Sequence, residues 1–227
     1  MTRQLYELCG ADKTVRFSPY CWRTRLSLAH KDLPFETVPV LFTEIPDIAG
    51  SDSPTVPILF EADMSRSDSW AIATYLDETY ADRSSLIGEG AAASLARFVD
   101  NYNNTLLVPG VAQLIILDIH DMLDPADQTY FRESREKRFG RSLEDIQAGR
   151  DERVTQFRSS LVALRRTLEQ QMYISGDDPA YADISVYGTL QWARCCSSFQ
   201  LLETDDPIAL WFDRMTRRYD VQAQTAW

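Results

Sequence analysis

The segment Ser18-Pro19-Tyr20-Cys21 has the spacing of a C-x-x-C redox pair, with a hydroxyl where the first thiol would stand. Serine followed by proline is also a helix start, since serine caps the free N–H groups of the first turn and proline suits the first helical position. Taken alone, that role is structural. The functional alternative is an anion held jointly by the Ser18 hydroxyl and the positive end of the helix. Two more sites shift the balance toward it. Val56-Pro57 puts a proline at the start of a strand, at an edge or as a cis bond, where the backbone N–H and C=O of Val56 are open to a bound peptide. Asp68-Ser69 stands at a second helix start, where the hydroxyl and N–H suit a carboxylate and the aspartate suits an ammonium. Three such sites together fit a zwitterionic thiol peptide.

The elements that must position these residues follow from periodicity. Residues 3–8 read as a strand and 9–17 as a polar loop, and the helix from Ser18-Pro19 carries Trp22, Leu26 and Ala29 at helical spacing. A second strand at 35–40 makes a parallel pair with a crossover. A third strand spans 55–60, Glu61-Ala62-Asp63 turns into a short fourth at 64–66, and a helix follows with Ile72, Tyr75, Leu76 and Tyr80. That is an α/β unit with one mixed sheet. Beyond Asp82 only helices are expected. Leu95, Phe98, Val99, Tyr102 and Leu106 mark one stripe, Val154, Phe157, Leu161, Leu164 and Leu168 another, and further helices fall at 181–199 and 207–219. Residues 126–153 read as a solvated helical face with paired charges. The boundary lies within 81–90, giving units at 1–82 and 91–227 with a linker at 83–90.

Composition narrows the function. Of 227 residues 44% are apolar, enough for a core, and the formal charge of −11 disfavours nucleic acid and anionic lipid as partners. The N-terminal MTRQLYELCG lacks the basic and apolar runs of a secretory leader. Residues 106–117, LLVPGVAQLIIL, are interrupted by Pro109, Gly110 and Gln113 and are too short to span a bilayer. The expectation is a soluble, cytoplasmic protein with no membrane or nucleic-acid partner. Cys9, Cys21, Cys195 and Cys196 have no metal-ligand spacing and only His30 and His120 supply imidazole, so no metal is expected.

With SPYCWRTRLSLAHK, the strand-opening TVPIL and the helix DSWAIATYLDETY, the chain resembles the glutathione transferases over essentially its whole length. Within that superfamily it is most similar to the bacterial β-etherases and the etherase-like fungal enzymes, on SPYCWRTRLSLAHK, FTEI and the long charged segment from DPADQTYF to GRDER. The resemblance implies an N-terminal thioredoxin-like α/β domain (βαβ-ββα) followed by an all-α helical domain. It makes Ser18 the catalytic hydroxyl that bonds the glutathione sulfur, pairs Val56, before cis-Pro57, with the cysteinyl backbone, and assigns the γ-glutamyl end to Asp68 and Ser69. Phe42 and Thr43 border the glycyl end and Tyr20 and Trp22 shape the pocket or the core, while on composition alone the tryptophans and tyrosines are mostly core, with some, around Tyr102, Tyr130, Trp192 and Trp211, placed to line an apolar site between the domains. It further implies glutathione as co-substrate, a hydrophobic aromatic molecule as second substrate, and a homodimer joining the first domain of one subunit to the helical domain of the other.

The magnitudes suffice for thiolate activation. Lowering a thiol from about 8.5 to below neutrality takes roughly two pH units, or about 2.7 kcal/mol. A hydrogen bond to a charged acceptor contributes about 1.5–3 kcal/mol and a helix terminus about 0.3–1 kcal/mol. The reaction this implies is attack of the glutathione sulfur on an aromatic or aryl-ether electrophile. Two other functions compete: a glutathione-dependent carrier of polyphenols or other aromatics without turnover, and a disulfide reductase using Cys9 or Cys21. A bare assembly scaffold ranks below both. One departure from the family pattern concerns Asp183. A Ser or Thr cap usually stands three residues before it, and here Ala180 does, a loss of about 0.5–2 kcal/mol unless Ser175, Asp177 or Asp178 caps instead.

Overall fold

The protein is described by a computed structural model over residues 3–221. Strand β1 (Gln4–Leu8) buries Leu5 and Leu8 and runs parallel to β2 (Glu36–Val40), with Leu5 opposite Thr37. On its other side β1 pairs antiparallel with β3 (Ile58–Glu61), which pairs antiparallel with β4 (Met64–Ser67), so the sheet order is β2-β1-β3-β4. The third strand begins at Ile58, not at residue 55, because Pro57 has no N–H to give the ladder; the Val56-Pro57 bond is cis.

Helix α1 (Pro19–His30) is the crossover between the parallel strands, and α2 (Ser69–Thr79) follows β4. Trp22, Leu26 and Leu28 of α1 are buried, whereas Ala29, expected on that face, is exposed. The reason is that α1 is covered on more than one side, so even Arg23, Thr24 and Ser27 are buried. This arrangement is the expected mixed α/β unit, followed by helices alone.

Helix α3 (Ala91–Tyr102) passes through a π-helical stretch (Asn103–Leu107) into α4 (Val108–Met122). The result is one continuous helix of 32 residues, long and apolar enough by composition to cross a membrane. That corrects the sequence-based reading, in which Pro109 and Gly110 interrupt the segment: Pro109 stands at the exit of the π-helical stretch, where the regular ladder is already broken, and the helix runs on through it. Polar partners hold this helix inside the fold, with Asn103 Nδ2 donating to the Ser185 carbonyl at 2.7 Å.

Five helices come between α4 and the last: α5 (Pro125–Phe139), α6 (Leu143–Gln147), α7 (Arg150–Ser160), α8 (Val162–Gln170) and α9 (Tyr181–Cys196). The stripe from Val154 to Leu168 is buried as expected, though the helix breaks at Leu161. In the charged segment Arg132 pairs with Glu136 and Glu144 at 2.9 Å on the solvated side, but Asp127 and Phe131 turn inward. Along α9 all residues but Arg194 are buried, which makes it the axis of the helical unit, and α10 (Pro207–Arg218) closes over it. The stripe on α3 and α4 divides: Val99 and Tyr102 pack on the core, whereas Leu95, Phe98 and Leu106 are 58%, 65% and 59% exposed.

The connection between α2 and α3 is pinned at one carboxylate. Asp77 accepts from the Leu86 and Ile87 N–H groups, both at 2.8 Å, and pairs with the buried Lys31 ammonium at 2.6 Å. Burial would raise the Asp77 carboxyl, and the Lys31 and backbone bonds overcome it, holding the group below its ordinary value. The Leu86 carbonyl in turn accepts from the N–H of Tyr181, so the connection is stitched to the start of α9 as well.

Candidate functional site

Sheet register brings the three sequence-predicted sites to one end of the sheet. Phe17 N–H donates to the Leu8 carbonyl at 3.3 Å, which places Ser18 just beyond the end of β1. Because β3 runs antiparallel to β1 with Ile58 opposite Tyr6, Val56 and Pro57 lie beyond that same end. Ile58 is also opposite Ser67, so β4 delivers Asp68 and Ser69 there too. Two helix N-termini, those of α1 and α2, thus open beside the backbone of Val56. The sum is a place for an anion and for an extended peptide.

Ser18 caps α1 and is buried, its Oγ accepting from the Cys21 N–H at 3.4 Å. Asp68 caps α2 through Oδ1, which accepts from the Ala71 N–H at 2.9 Å, and it does so at φ 71, a left-handed conformation that costs a non-glycine residue of order 1 kcal/mol or more. Neighbouring Ser69 is buried under Trp70 and Tyr181, whose rings meet edge to face at 5.1 Å between centroids, with Arg97 4.3 Å above the Trp70 ring.

The thiols near Ser18 are set up differently. Burial pushes the Cys21 thiol up to about 12, with Glu7 adding to the rise against the Ser18 hydroxyl and the Leu8 backbone. Cys9 is fully buried, and burial raises it too, despite Arg16 and Lys13. Both are held as thiols, the form that does not attack a disulfide. Cys195 and Cys196 are buried and free. Among the described residues no cluster of three His, Cys, Asp or Glu side chains is placed to hold a metal.

Several contacts that hold the site are not visible in the sequence. Asp127, in the first turn of α5 and fully buried, accepts from Phe42 N–H at 2.6 Å, from Thr43 N–H at 2.9 Å and from Thr43 Oγ1 at 2.9 Å. One carboxylate from the helical unit therefore fixes the 3-10 turn after β2 (Phe42–Asp47). The Phe42 ring then lies 6.2 Å from Phe17, the residue before Ser18, and 5.8 Å and 5.9 Å from Tyr130 and Phe131 of α5. From the other side, the Met122 carbonyl at the end of α4 accepts from Ala11 N–H at 3.0 Å in the loop leading to Ser18. The α4–α5 corner thus packs on the turn and the loop that flank Ser18.

Arg23, five residues after Ser18 along α1, makes a fully buried tie between the units. Its guanidinium donates to Asp100 Oδ1 at 3.0 Å and to Asn104 Oδ1 at 2.9 Å, and Asp100 also accepts from Ser185 Oγ at 2.8 Å. Both ends of this ion pair are buried. The Tyr20 ring lies 4.6 Å from the Arg23 guanidinium, which fixes the half-exposed tyrosine beside the Ser18 turn.

Other expectations need correction. Trp211 is core: it is fully buried and its Nε1 donates to Asp183 Oδ1 at 2.9 Å; Trp192 is buried too, and of the expected aromatic lining it is Tyr130 that reaches solvent near Phe42. Nothing substitutes for the missing serine at the start of α9. Ala180 makes no side-chain cap, and Asp183 itself collects the N–H groups of Ile174, Ser175 and Ala180 at 2.7, 3.0 and 3.3 Å. His30 bridges helices, with Nδ1 2.9 Å from the Tyr219 hydroxyl and Nε2 3.0 Å from the Ser85 carbonyl.

Comparison with known proteins places this geometry. Residues 94–217 match the family model "Glutathione S-transferase, C-terminal domain" and residues 17–79 match "Glutathione S-transferase, N-terminal domain". Glutathione S-transferase U28 of Arabidopsis thaliana is 25% identical over 214 residues, spanning 91% of this chain and 84% of that protein. Among solved structures, the glutathione S-transferase CsGST63524 of Ceriporiopsis subvermispora, in complex with glutathione, superposes with a TM-score of 0.79 at 24% identity over 97% of both chains. Glutathione transferase GSTFuA3 of Phanerochaete chrysosporium gives a TM-score of 0.85 at 20% identity, covering 96% of this chain and 97% of that one. At these identities the two structures speak to shared fold.

Proposed function

The chain belongs to the glutathione S-transferase family, and on that premise we propose that it activates the glutathione thiol through Ser18 for attack on an aromatic or aryl-ether electrophile. The observation that carries the reading is the convergence of Ser18, Val56-Pro57 and Asp68-Ser69 at one end of the sheet, each beside a helix N-terminus or an open strand start. Residues 1–82 then form the glutathione-binding unit, 83–90 the linker and 91–227 the unit that supplies the electrophile site.

In this reading Val56 pairs with the cysteinyl backbone, and Asp68 with Ser69 holds the γ-glutamyl end. The thiol proton passes to solvent as the Ser18 hydroxyl and the α1 N-terminus stabilise the sulfur anion. The sulfur then attacks the carbon bearing the leaving group: a carbon–sulfur bond forms, the carbon–oxygen bond to an aryloxy group breaks, and the aryloxide takes a proton from water. The same steps with an aryl halide release halide. Alignment of the two reactants supplies the rest of the acceleration.

The test is turnover of glutathione with an aryl halide, a β-aryl ether ketone and a mixed disulfide, wild type against Ser18→Ala. Loss of one charge-assisted hydrogen bond of about 1.5–3 kcal/mol should lower kcat/KM roughly 10- to 150-fold, and the ultraviolet thiolate signal at neutral pH should vanish with it. Conversion of the ether would place the enzyme with the etherases. Binding of glutathione and aromatics without any conversion would instead make the protein a carrier, and disulfide turnover alone would make it a reductase.

The proposed assembly is a homodimer in which the first unit of each subunit meets the helical unit of its partner. Its support is apolar surface on both units: Met64 in β4 is 56% exposed, and Leu95, Phe98 and Leu106 lie along one continuous helix. A monomer at micromolar concentration in sedimentation would overturn it.

A further inference from the structure

We propose that Arg135, stacked over Phe42 and Phe131 at the approach to Ser18, selects electrophiles that carry a carboxylate on their aromatic ring. The proposal rests on the reading above, in which a thiolate is held at Ser18, beside the turn and the loop on which the α4–α5 corner packs.

Three observations meet at this side chain. The Arg135 guanidinium lies 5.6 Å from the Phe42 ring centre and 4.7 Å from that of Phe131, within the range of an attractive cation–π contact. Phe42 is the ring that also faces Phe17, next to Ser18, and Asp127 fixes its backbone. Arg135 is therefore held against the clamped turn by two aromatic rings, one of which reaches the residue before Ser18.

The second observation is what Arg135 lacks. Its hydrogen bond goes to the Ser134 hydroxyl at 3.0 Å, and no carboxylate among the described residues comes within ion-pair distance. Elsewhere the half-buried or buried arginines at 3, 16, 23, 25, 132, 150, 158 and 165 each reach one; among the half-buried arginines that do not, Arg153 and Arg214 donate to backbone carbonyls and Arg66 lies 3.6 Å over the Tyr75 ring. A planar fork of donors that is partly desolvated and unpaired is matched by a carboxylate.

The third is the electrostatic cost of the arrangement. Burial lowers the ionisation of Arg135, the nearby Arg138 charge adds to that, and only the Tyr130 hydroxyl opposes it. An anion bound there would remove the penalty. Tyr130 is half exposed and 5.8 Å from Phe42, so an aromatic ring has surface to rest on while its carboxylate meets the guanidinium. In a protein of net charge −11, which repels anions at long range, such a group works only as a local, short-range selector.

The experiment compares two aryl chlorides matched in shape, 4-chloro-3-nitrobenzamide and 4-chloro-3-nitrobenzoate, in wild type, Arg135→Gln and Arg135→Lys at saturating glutathione. The ratio of kcat/KM for the acid to that for the neutral substrate should fall at least tenfold in Arg135→Gln and be largely restored in Arg135→Lys. An unchanged ratio overturns the proposal. So does a rise in KM for glutathione with the ratio intact, which would assign Arg135 to the glycyl carboxylate. A second measurement needs neither turnover nor a variant: 4-nitrobenzoate should bind the wild-type protein with glutathione at least tenfold more tightly than 4-nitrobenzamide, read by tryptophan fluorescence. Equal binding overturns the selection even if transfer is observed, whereas preferential acid binding without any transfer would sustain it and fail only the catalytic reading.

Discussion

A Cβ added at Gly188 would stand 2.6 Å from the carbonyl oxygen of Pro19. Helix α9 therefore lies directly against the first turn of α1, the turn that Ser18 caps, with no room for a methyl group between them. The position of the Ser18 hydroxyl is set as much by this contact in the helical unit as by the strand that leads to it.

Gly188→Ala should disturb that turn. Alanine is about 1 kcal/mol better than glycine inside a helix, but overpacking typically costs about 1–3 kcal/mol, and a backbone carbonyl has no rotamer by which to retreat. The clash should win, with a fall in Tm of about 2–6 °C for a chain of this size and a weaker thiolate signal of bound glutathione. Gly110→Ala is the control, because a methyl there meets only the Phe157 ring, at 3.0 and 3.1 Å. A variant at Gly188 as stable and active as wild type would show that the two helices can part without cost.

Asp127→Asn should loosen the turn after β2. The wild-type carboxylate accepts three bonds from Phe42 and Thr43, and an amide would set its own N–H against one of those donors. The loss is about 1–3 kcal/mol for a buried donor left unpaired. Amide exchange at residues 42–47 should quicken, and KM for glutathione should rise more than kcat falls if this turn borders the glycyl end. Unchanged exchange there would detach the turn from Asp127.

How much of this was legible in the sequence varies with the range of the interaction. Ser18-Pro19 and Asp68-Ser69 announce helix starts because capping is local, and both cap as read. The crossover and the hairpin account for the β1–β2 and β3–β4 pairs, whereas the pairing of β3 with β1 joins distant segments and leaves no local sign. Asp127 was legible only as one acid in a charged run, since a helix-start aspartate looks the same whether it caps its own helix or reaches, as here, 84 and 85 residues away to another turn. Gly188 gave no sign at all, because close approach of two backbones leaves no pattern in a buried helix. Ala29 was misplaced for a related reason: periodicity finds one covered face, and α1 is covered on several. Residues 222–227 lie outside the described range.

Asp77 gives the stability a sign with pH. Its folded ionisation lies below the ordinary value, so its contribution is fully present above about pH 4 and is lost as pH falls through the folded value. Asp77→Asn leaves the buried Lys31 without its partner. Because Asp77 is itself partly open to solvent, the cost at pH 7 should be about 2 kcal/mol, below the roughly 3–5 of a fully buried pair. Denaturant unfolding at pH 7 and pH 3 should show the gap between variant and wild type shrinking toward zero in acid. A gap independent of pH would mean that the charge on Asp77 does not stabilise the connection between the units.

The C-x-x-C spacing around Ser18 leaves a redox rival that the surroundings of Cys21 oppose. A thiol raised to about 12 by burial is thiolate to the extent of roughly one part in ten thousand or less near neutral pH, and attack on a disulfide runs through that fraction. Cys9 is buried and raised in the same direction. Titration of the native protein with a disulfide reagent at pH 8 should therefore consume well under one equivalent until denaturant is added. Cys21→Ala and Cys9→Ala should each keep thioether formation while Ser18→Ala loses it, since only the serine sits at the helix terminus with a polar proton to give. Rapid labelling of the native protein at either cysteine, or loss of thioether formation in Cys9→Ala with its fold intact by circular dichroism, would move the chemistry from the hydroxyl to the thiol.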